Sequence, residues 1–321
     1  MSAGTAVPLR PIPAAGTAGP GGPPAAPRPV RRRGRQRPLR LLPMVPAVVL
    51  LLGFFAGPVV WAVYTATTNS ALTGPYAAHP HSVGLANFQK AIGDIAVHAA
   101  IVRTLVFVVA CVAAQNGLGL LLALLMQRRN LVVRSVVSAV VVGAWVIPEI
   151  VAAFIWYSYL QPQGGTLNQI VALVGLPGQE WLLSSPLFSV ILANNWRGSA
   201  FSMLIYNAAL QDVPQEIVEA ASVDGASGPR KLWSIVLPTI RRTVAANLML
   251  TTLSTLGVFG LIWAMTAGGP VDRSQTLPVL MYDQAFNFGE LGYGAAISLI
   301  LLGLGAIFAV AYLTLLRGDK K

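Results

Sequence analysis

Long apolar runs separated by short polar segments dominate the chain. A helix that crosses a bilayer needs about 20 mostly apolar residues, and six runs reach that length. We predict spans at approximately 41–67, 100–126, 135–160, 187–210, 241–265 and 291–316. The pattern therefore predicts an all-α membrane protein with about six transmembrane helices.

Residues 1–40 precede the first run and are rich in Pro, Gly, Ala and Arg. This composition, without apolar periodicity, is typical of a disordered tail. A signal peptide fits less well, because the apolar run is longer than a signal core and lacks a clear small-x-small cleavage site. We expect a basic tail at 1–40, a transmembrane domain at 41–316 and a short tail at 317–321.

The charges support the membrane interpretation and orient the chain. Charged residues make up 10% of the sequence, against about one quarter in a soluble domain. A net charge of +11 could suit nucleic acid, but the basic residues cluster between apolar runs. With the N-terminus inside, all of the 22 basic residues fall on cytoplasmic segments except Lys90, Arg103, Arg197 and Arg273. The bias of basic residues toward the cytoplasm therefore predicts that both termini are cytoplasmic and that no nucleic acid is bound.

The segment 211–240 differs from the other connections because it has helical periodicity. Pro214 suits a first helical position and Asp212 a nearby cap. Gly225 marks a turn, and a second short helix follows before Pro238 restarts the chain into the next span. Three apolar residues at helical spacing share one face of the first helix: Ile217, Ala220 and Ala221. The segment is predicted to be a helix–turn–helix on the cytoplasmic surface.

The same segment carries three sequence blocks at fixed spacing. They are Glu219-Ala220-Ala221, Asp224-Gly225-Ala226 and Ile235-Val236-Leu237-Pro238. These blocks resemble the signature loop of the membrane subunits of bacterial ABC importers, and the resemblance extends over about 41–316. It implies a coupling helix that docks into a groove of an ATPase subunit. The coupling residues that it implies are Glu219, Ala220, Ala221, Asp224, Gly225, Ala226, Leu237 and Pro238.

Two further elements are similar to carbohydrate-type permeases. One is Gly84-Leu85-x-Asn87-Phe88, and the other is the stretch from Gly268-Gly269-Pro270 to Gly292-Tyr293-Gly294. The resemblance implies a multi-pass protein of the bacterial inner membrane, like the first permease of maltose and glycerol-phosphate importers. It also implies three partners: a second homologous permease, two copies of an ATPase subunit, and an external solute-binding protein that is periplasmic or a lipoprotein.

ATP hydrolysis is expected in that other subunit. A phosphate-binding loop requires Gly directly before its Lys, and none of the four lysines, Lys90, Lys231, Lys320 and Lys321, follows Gly. The chain is therefore predicted not to be an enzyme and to bind no cofactor directly. ATP and Mg²⁺ would be used by the partner.

Polar residues inside the predicted spans are candidates for a substrate pathway, because such residues tend to face a cavity or another helix. Interhelical hydrogen bonding, worth about 0.6 kcal/mol per pair, is an equally good explanation for any one of them. For Arg197, pairing with Glu149 is favoured over contact with an anionic substrate. The candidates are Glu149, Asn194, Arg197, Asn247, Thr251 and Ser254.

The sequence thus predicts an ABC importer permease that forms half of a pore for a sugar or sugar derivative. One alternative is an importer of another solute such as glycerol phosphate. A second is an ion-coupled secondary transporter, which usually places carboxylates within the membrane. Glu149 is the only clearly intramembrane carboxylate in the sequence, which argues against that class. A metal site at His79 and His81 is less expected than a solvated loop.

Overall fold

The computed structural model describes residues 45–127 and 129–318, with 317 and 318 described by their backbone alone. The predicted tail at 1–40 and the last three residues of the tail at 317–321 lie outside this range. The chain divides into two compact units after Gly53. All features analysed below belong to the second unit, apart from the start of the first helix.

The described part of the chain is mostly helical, and its extended contacts amount to one isolated bridge between Thr68 and Ser82. The main helices are α1 (Val45–Ala66), α2 (Ile95–Gln127), α3 (Leu131–Val146), α4 (Glu149–Tyr159), α5 (Pro186–Gln211), α6 (Gln215–Val223), α7 (Gly228–Leu256), α8 (Gly260–Thr266) and α9 (Leu291–Gly318). Shorter helices lie at Pro75–Ala78, Ala86–Gly93, Thr166–Leu173, Trp181–Ser184 and Leu277–Tyr282. This confirms the predicted all-α class.

Within the described residues, α1, α2 and α9 are each long and apolar enough to cross a membrane. Two bent pairs, α3 with α4 and α7 with α8, raise the number of candidate spans to as many as five. The predicted fourth span, 187–210, corresponds to α5. Its 26 residues extend about 39 Å, but its polar side chains keep it outside this set of candidate spans.

The predicted span at 135–160 corresponds to a bent pair of helices and not to one continuous helix. Helix α3 ends at Val146, α4 begins at Glu149, and their axes differ by 104°. Pro148 is the cause, since it forces the preceding residue out of the helical region. Accordingly Ile147 is extended, with φ −60° and ψ 129°.

The predicted fifth span, 241–265, also differs from the structure. Helix α7 begins much earlier, at Gly228, and a 47° bend separates it from α8. Pro238 does not restart the chain but lies inside α7. A wider π-helical turn at Leu232–Val236 precedes it, and there the Leu237 N–H donates to the carbonyl of Leu232, five residues back. Such a turn makes room for the proline, which would otherwise clash with the preceding turn.

Close packing of α2 against α5 organises the core of the second unit. A Cβ atom added at Gly119 would lie 2.4 Å from Cβ of Ser202 and 2.7 Å from the backbone N of Met203. One added at Gly198 would meet the side chain of Gln115 at 2.4 Å. Small residues that let helix backbones approach are the usual device for packing helices in a bilayer.

The segment 266–290 joins the fifth and sixth predicted spans, and much of it is buried. Leu277 and Val279 are fully buried in the short helix Leu277–Tyr282. The backbone N–H of Leu277 donates to Oγ1 of Thr104 on α2 at 2.9 Å. The segment packs against both α2 and α9, and this packing buries its apolar side chains.

Asn87, from the sequence element near the second span, has a structural role. Its Nδ2 donates to the carbonyls of Ala66 at 2.9 Å and Thr68 at 2.8 Å. These carbonyls lie at the end of α1, where the helix leaves acceptors unsatisfied. Gly292 packs against the same place, since its added Cβ would lie 2.2 Å from the Thr68 carbonyl oxygen.

We expect Gly119→Ala to lower the thermal unfolding midpoint of the detergent-solubilised protein. The added methyl group overlaps Ser202 and the backbone of α5, and overpacking of this kind costs about 1–3 kcal/mol. Gly117→Ala is the matched control, because nothing lies within 4 Å of its added Cβ. Equal midpoints for the two variants would contradict the close packing of α2 and α5.

Candidate functional site

A buried polar network joins α2, α5 and α7, with Asn116 at its centre. Its Oδ1 accepts from the Tyr206 hydroxyl, and also from Asn247 Nδ2 at 2.7 Å. Its Nδ2 donates to the carbonyl of Val112 at 2.8 Å and to Oγ1 of Thr251 at 3.1 Å. One amide therefore holds three helices together where apolar packing alone would leave their relative positions less defined.

Asn247 belongs to this network and does not line the cavity described below. Its side chain is 0% exposed, and Nδ2 also donates to Oγ of Ser202 at 3.0 Å. For this residue, interhelical hydrogen bonding describes the geometry better than pore lining does. Its Oδ1 has no hydrogen-bond partner within the described residues.

The other five predicted pathway residues surround one cavity of about 250 Å³, beside the polar network. They come from three elements: the start of α4, the middle of α5 and the end of α7. The cavity residues that the sequence pointed to are Glu149, Asn194, Arg197, Thr251 and Ser254. The structure thus brings together side chains that are about 100 positions apart in the chain.

Arg197 is held on one side of the cavity by two contacts. Its Nη1 lies 3.3 Å from Oε1 of Glu149, and its Nε donates to the carbonyl of Ile147 at 3.1 Å. The bend at Pro148 provides that carbonyl, since the last carbonyls of a helix have no partner within it. The predicted pairing of Arg197 with Glu149 is therefore present, and the two charges offset each other.

Two aromatic side chains complete the cavity, and sequence reasoning missed both. The rings of Trp145 and Phe201 lie 5.8 Å apart, and both residues line the cavity. Phe201 could have been found, because it shares the helical face of Asn194 and Arg197 at spacings of seven and four. Trp145 could have been found in the same way, because it lies four positions before Glu149, a spacing that places two residues on one face of a helix.

Asn194 and Gln115 add amide groups to the same cavity. Nδ2 of Asn194 is buried and has no hydrogen-bond partner among the described residues. Gln115 Nε2 donates to the carbonyl of Asn194 at 3.4 Å. Neither the cavity nor any other described part of the chain gathers three His, Cys, Asp or Glu side chains as a metal site. Apart from the paired charges of Arg197 and Glu149, the polar groups that the cavity offers to a ligand are amides and hydroxyls.

The segment 211–240 forms a second candidate site, and its turn follows a known helix-capping pattern. Gly225 has φ +77°, its N–H donates to the Ser222 carbonyl at 3.1 Å, and the Ala226 N–H donates to the Ala221 carbonyl at 2.9 Å. These two bonds form a Schellman motif, in which glycine supplies the left-handed residue. The Asp-Gly-Ala block is thus the C-terminal cap of α6.

The start of α6 differs from the prediction. The helix begins at Gln215, and Pro214 precedes it with an extended backbone at φ −60° and ψ 122°. Asp212 is not its cap but the C-terminal residue next to α5. Since proline fixes only φ, it can occupy the first position of a helix or the position just before it.

The surface of this segment exposes several side chains. Five of the eight predicted coupling residues are exposed, and Ala221, Ala226 and Leu237 are half-buried. The exposed ones are Glu219, Ala220, Asp224, Gly225 and Pro238. Val223 and Trp233 are also 88% and 71% exposed. Exposed apolar side chains of this size are available for contact with a partner.

Residues 115–317 match the family model described as "binding-protein-dependent transport system inner membrane component". This range includes the cavity and the segment 211–240. The chain belongs to this family. It is therefore a membrane permease component of ABC importers, as the three sequence blocks predicted, and not an enzyme.

Curated relatives match along most of the chain. The trehalose/maltose transport system permease protein MalF of Thermococcus litoralis is 30% identical over 87% of this chain and 94% of its own length. The sn-glycerol-3-phosphate transport system permease protein UgpA of Agrobacterium fabrum is 31% identical over 83% and 91%. A solved bacterial ABC transporter involved in alginate import shares the fold, with a TM-score of 0.74, 20% identity, and coverage of 89% of this chain and 98% of that one.

A double-mutant cycle should detect the contact between Glu149 and Arg197. Each single change, Glu149→Gln or Arg197→Gln, leaves a partly buried charge without its partner. We expect the double variant to be more stable than additivity predicts, by about 0.5–3 kcal/mol. The measurement is thermal or denaturant unfolding of the purified permease.

The control cycle combines Glu149→Gln with Arg273→Gln. Arg273 lies in the segment 266–290 and does not contact the cavity. This second cycle should be additive. Additivity in both cycles would contradict the ion pair.

Proposed function

We propose that this permease forms half of the translocation pore of an importer for a neutral sugar or sugar derivative. In this proposal it crosses a bacterial inner membrane six times, with both termini in the cytoplasm. Helix α5 and the two bent pairs supply the crossings beyond α1, α2 and α9. The basic residues on the cytoplasmic side support the orientation, and the membrane family of the chain supports the location.

The observation that carries the proposal is the chemistry of the cavity. Asn194, Thr251 and Ser254 offer amide and hydroxyl groups that can bind sugar hydroxyls. Trp145 and Phe201 offer apolar ring faces, which suit the C–H faces of a sugar ring. The cavity presents polar and apolar surface in about equal measure, a combination that suits the hydroxyl groups and C–H faces of a sugar.

The net charge of the cavity favours a neutral solute over glycerol phosphate. Arg197, the basic residue that lines it, is already paired with Glu149, so a phosphate would have to displace a carboxylate. The similarity to UgpA keeps glycerol phosphate as the second candidate. Stimulation of ATPase activity in the reconstituted importer by neutral sugars, but not by sn-glycerol 3-phosphate, would distinguish the two.

The proposed partners follow from the family and the exposed segment 211–240. Two ATPase subunits would bind ATP and Mg²⁺ and close on each other, and one of them would receive α6. A second homologous permease would complete the pore, and an external binding protein would deliver the solute. Rocking of the two permeases would then give alternating access.

Ser254→Leu should reduce solute uptake several-fold, because it places an apolar side chain in the cavity. We expect the ATPase subunits to co-purify as before, since α6 is untouched. Ser135→Leu is the matched control: it makes the same chemical change at an exposed position of α3 that does not line the cavity. Unchanged uptake in Ser254→Leu would remove Ser254 from the pathway.

Gly225→Ala should weaken co-purification of the ATPase subunits. An L-residue forced into a left-handed conformation costs about 1–2 kcal/mol, so the cap of α6 would distort. Gly228→Ala is the control, because its added Cβ meets nothing within 4 Å and its φ is not positive. If both variants retained the ATPase equally, the Schellman turn would not be needed for docking.

A further inference from the structure

A groove lies between the end of α2 and the segment 211–240, on a different side of that segment from its exposed coupling residues Glu219 and Asp224, which do not line it. We call it the basic-rimmed groove, and its volume is about 680 Å³. Its floor is apolar, and two basic residues stand on its rim. The residues used below are Leu121, Leu124, Leu125, Val218, Arg129 and Lys231.

The apolar floor continues the lipid-facing surface of α2. Leu121 is 52% exposed and Leu125 is 47% exposed, and both belong to the last two turns of a helix that is apolar enough to span a bilayer. Arg129 lies two residues after the end of α2. The groove therefore changes from apolar to basic where the apolar helix ends, which is the order of acyl chain and headgroup in a lipid.

The two basic residues are available to an anion. Within residues 45–127 and 129–318 the ion pairs are Lys90 with Glu290 and Arg197 with Glu149, so neither Arg129 nor Lys231 is neutralised by a carboxylate there. Lys231 Nζ donates to Oγ of Ser222 at 2.9 Å, which fixes its position without removing its charge. The carboxylates of α6 do not line the groove.

We propose that the basic-rimmed groove binds an anionic phospholipid. One acyl chain lies along Leu121, Leu124 and Leu125, and the phosphate lies between Arg129 and Lys231. Basic pockets beside apolar helix surfaces on the cytoplasmic side are suited to such headgroups. The leaflet assigned to the lipid rests on the proposed orientation of the chain, whereas the binding itself does not.

A bound lipid there would contact both α2 and the segment 211–240. Val218 of α6 and Lys231 of α7 line the groove from one side, and the leucines of α2 line it from the other. The lipid would therefore support the segment from its membrane side. The exposed side chains of α6 would remain free for a protein partner.

The test is native mass spectrometry of the assembled importer released from nanodiscs that contain equal amounts of phosphatidylglycerol and phosphatidylcholine. We expect the importer to retain phosphatidylglycerol in preference to phosphatidylcholine. Arg129→Gln should reduce its retention about fivefold, since a basic residue at the membrane surface contributes about 1 kcal/mol. Lys231→Gln should act similarly, and Arg273→Gln, the charge-matched control, should have no effect.

Four results would overturn the proposal. They are equal retention of the two lipids, retention that Arg129→Gln does not change, loss of the lipid when inorganic phosphate is added, and binding to the isolated chain but not to the assembled importer. The third would indicate a site for a free anion, and the fourth a groove covered by a protein partner. Lys231 also donates a hydrogen bond to Ser222, so Lys231→Gln could destabilise the protein. In that case the lipid retention of Arg129→Gln alone tests the proposal. None of these results depends on which solute is transported, so the proposed function is tested separately.

Discussion

A bilayer supplies no water to backbone or amide groups, so each polar group placed within it must find its partner in the protein. The fold follows this constraint at two places. The amide of Asn116 connects α2, α5 and α7 by bonds to Tyr206, Asn247 and Thr251. At the bend before Pro148, the carbonyl of Ile147 has lost its helical partner and receives the guanidinium of Arg197 instead. Both arrangements border the same cavity.

The position of the cavity depends on the Asn116 network and on the bend at Pro148. Trp145 and Glu149 lie on either side of the 104° bend, and both line the cavity together with residues of α5. The close approach of α2 and α5 through Gly119 and Gly198 then closes the other side. The polar residues that hydrogen-bond between helices are thus neighbours of those that face the cavity. Thr251 belongs to both groups, since it bonds to Asn116 and lines the cavity.

The sequence predicted the helical class, the signature blocks and the residues that gather around the cavity, because periodicity and spacing record which side chains share a face. It could not predict which of them face inward. Asn247 and Thr251 have the same spacing signal, yet Asn247 is fully buried in the network and Thr251 reaches the cavity. The continuity of α7 through Pro238 was also missed, since a proline normally ends a helix and the π-helical turn that accommodates it has no sequence signature. The burial of Leu277–Tyr282 depends on contacts with α2 and α9, which lie far away in the chain.

The continuity of α7 has a mechanical consequence. With the wide turn at Leu232–Val236 in place of a joint, the helix runs unbroken from Gly228 to Leu256, a length of about 43 Å at 1.5 Å per residue. One end lies beside the surface proposed to meet the ATPase, and the other carries Thr251 and Ser254 to the cavity. The Asn116 network meets this helix at Asn247 and Thr251, about 30 Å from Gly228 but only about 10 Å from Leu256. A tilt about that point would move the Gly228 end about three times as far as the other end, so a large displacement far from the cavity would become a small adjustment beside it.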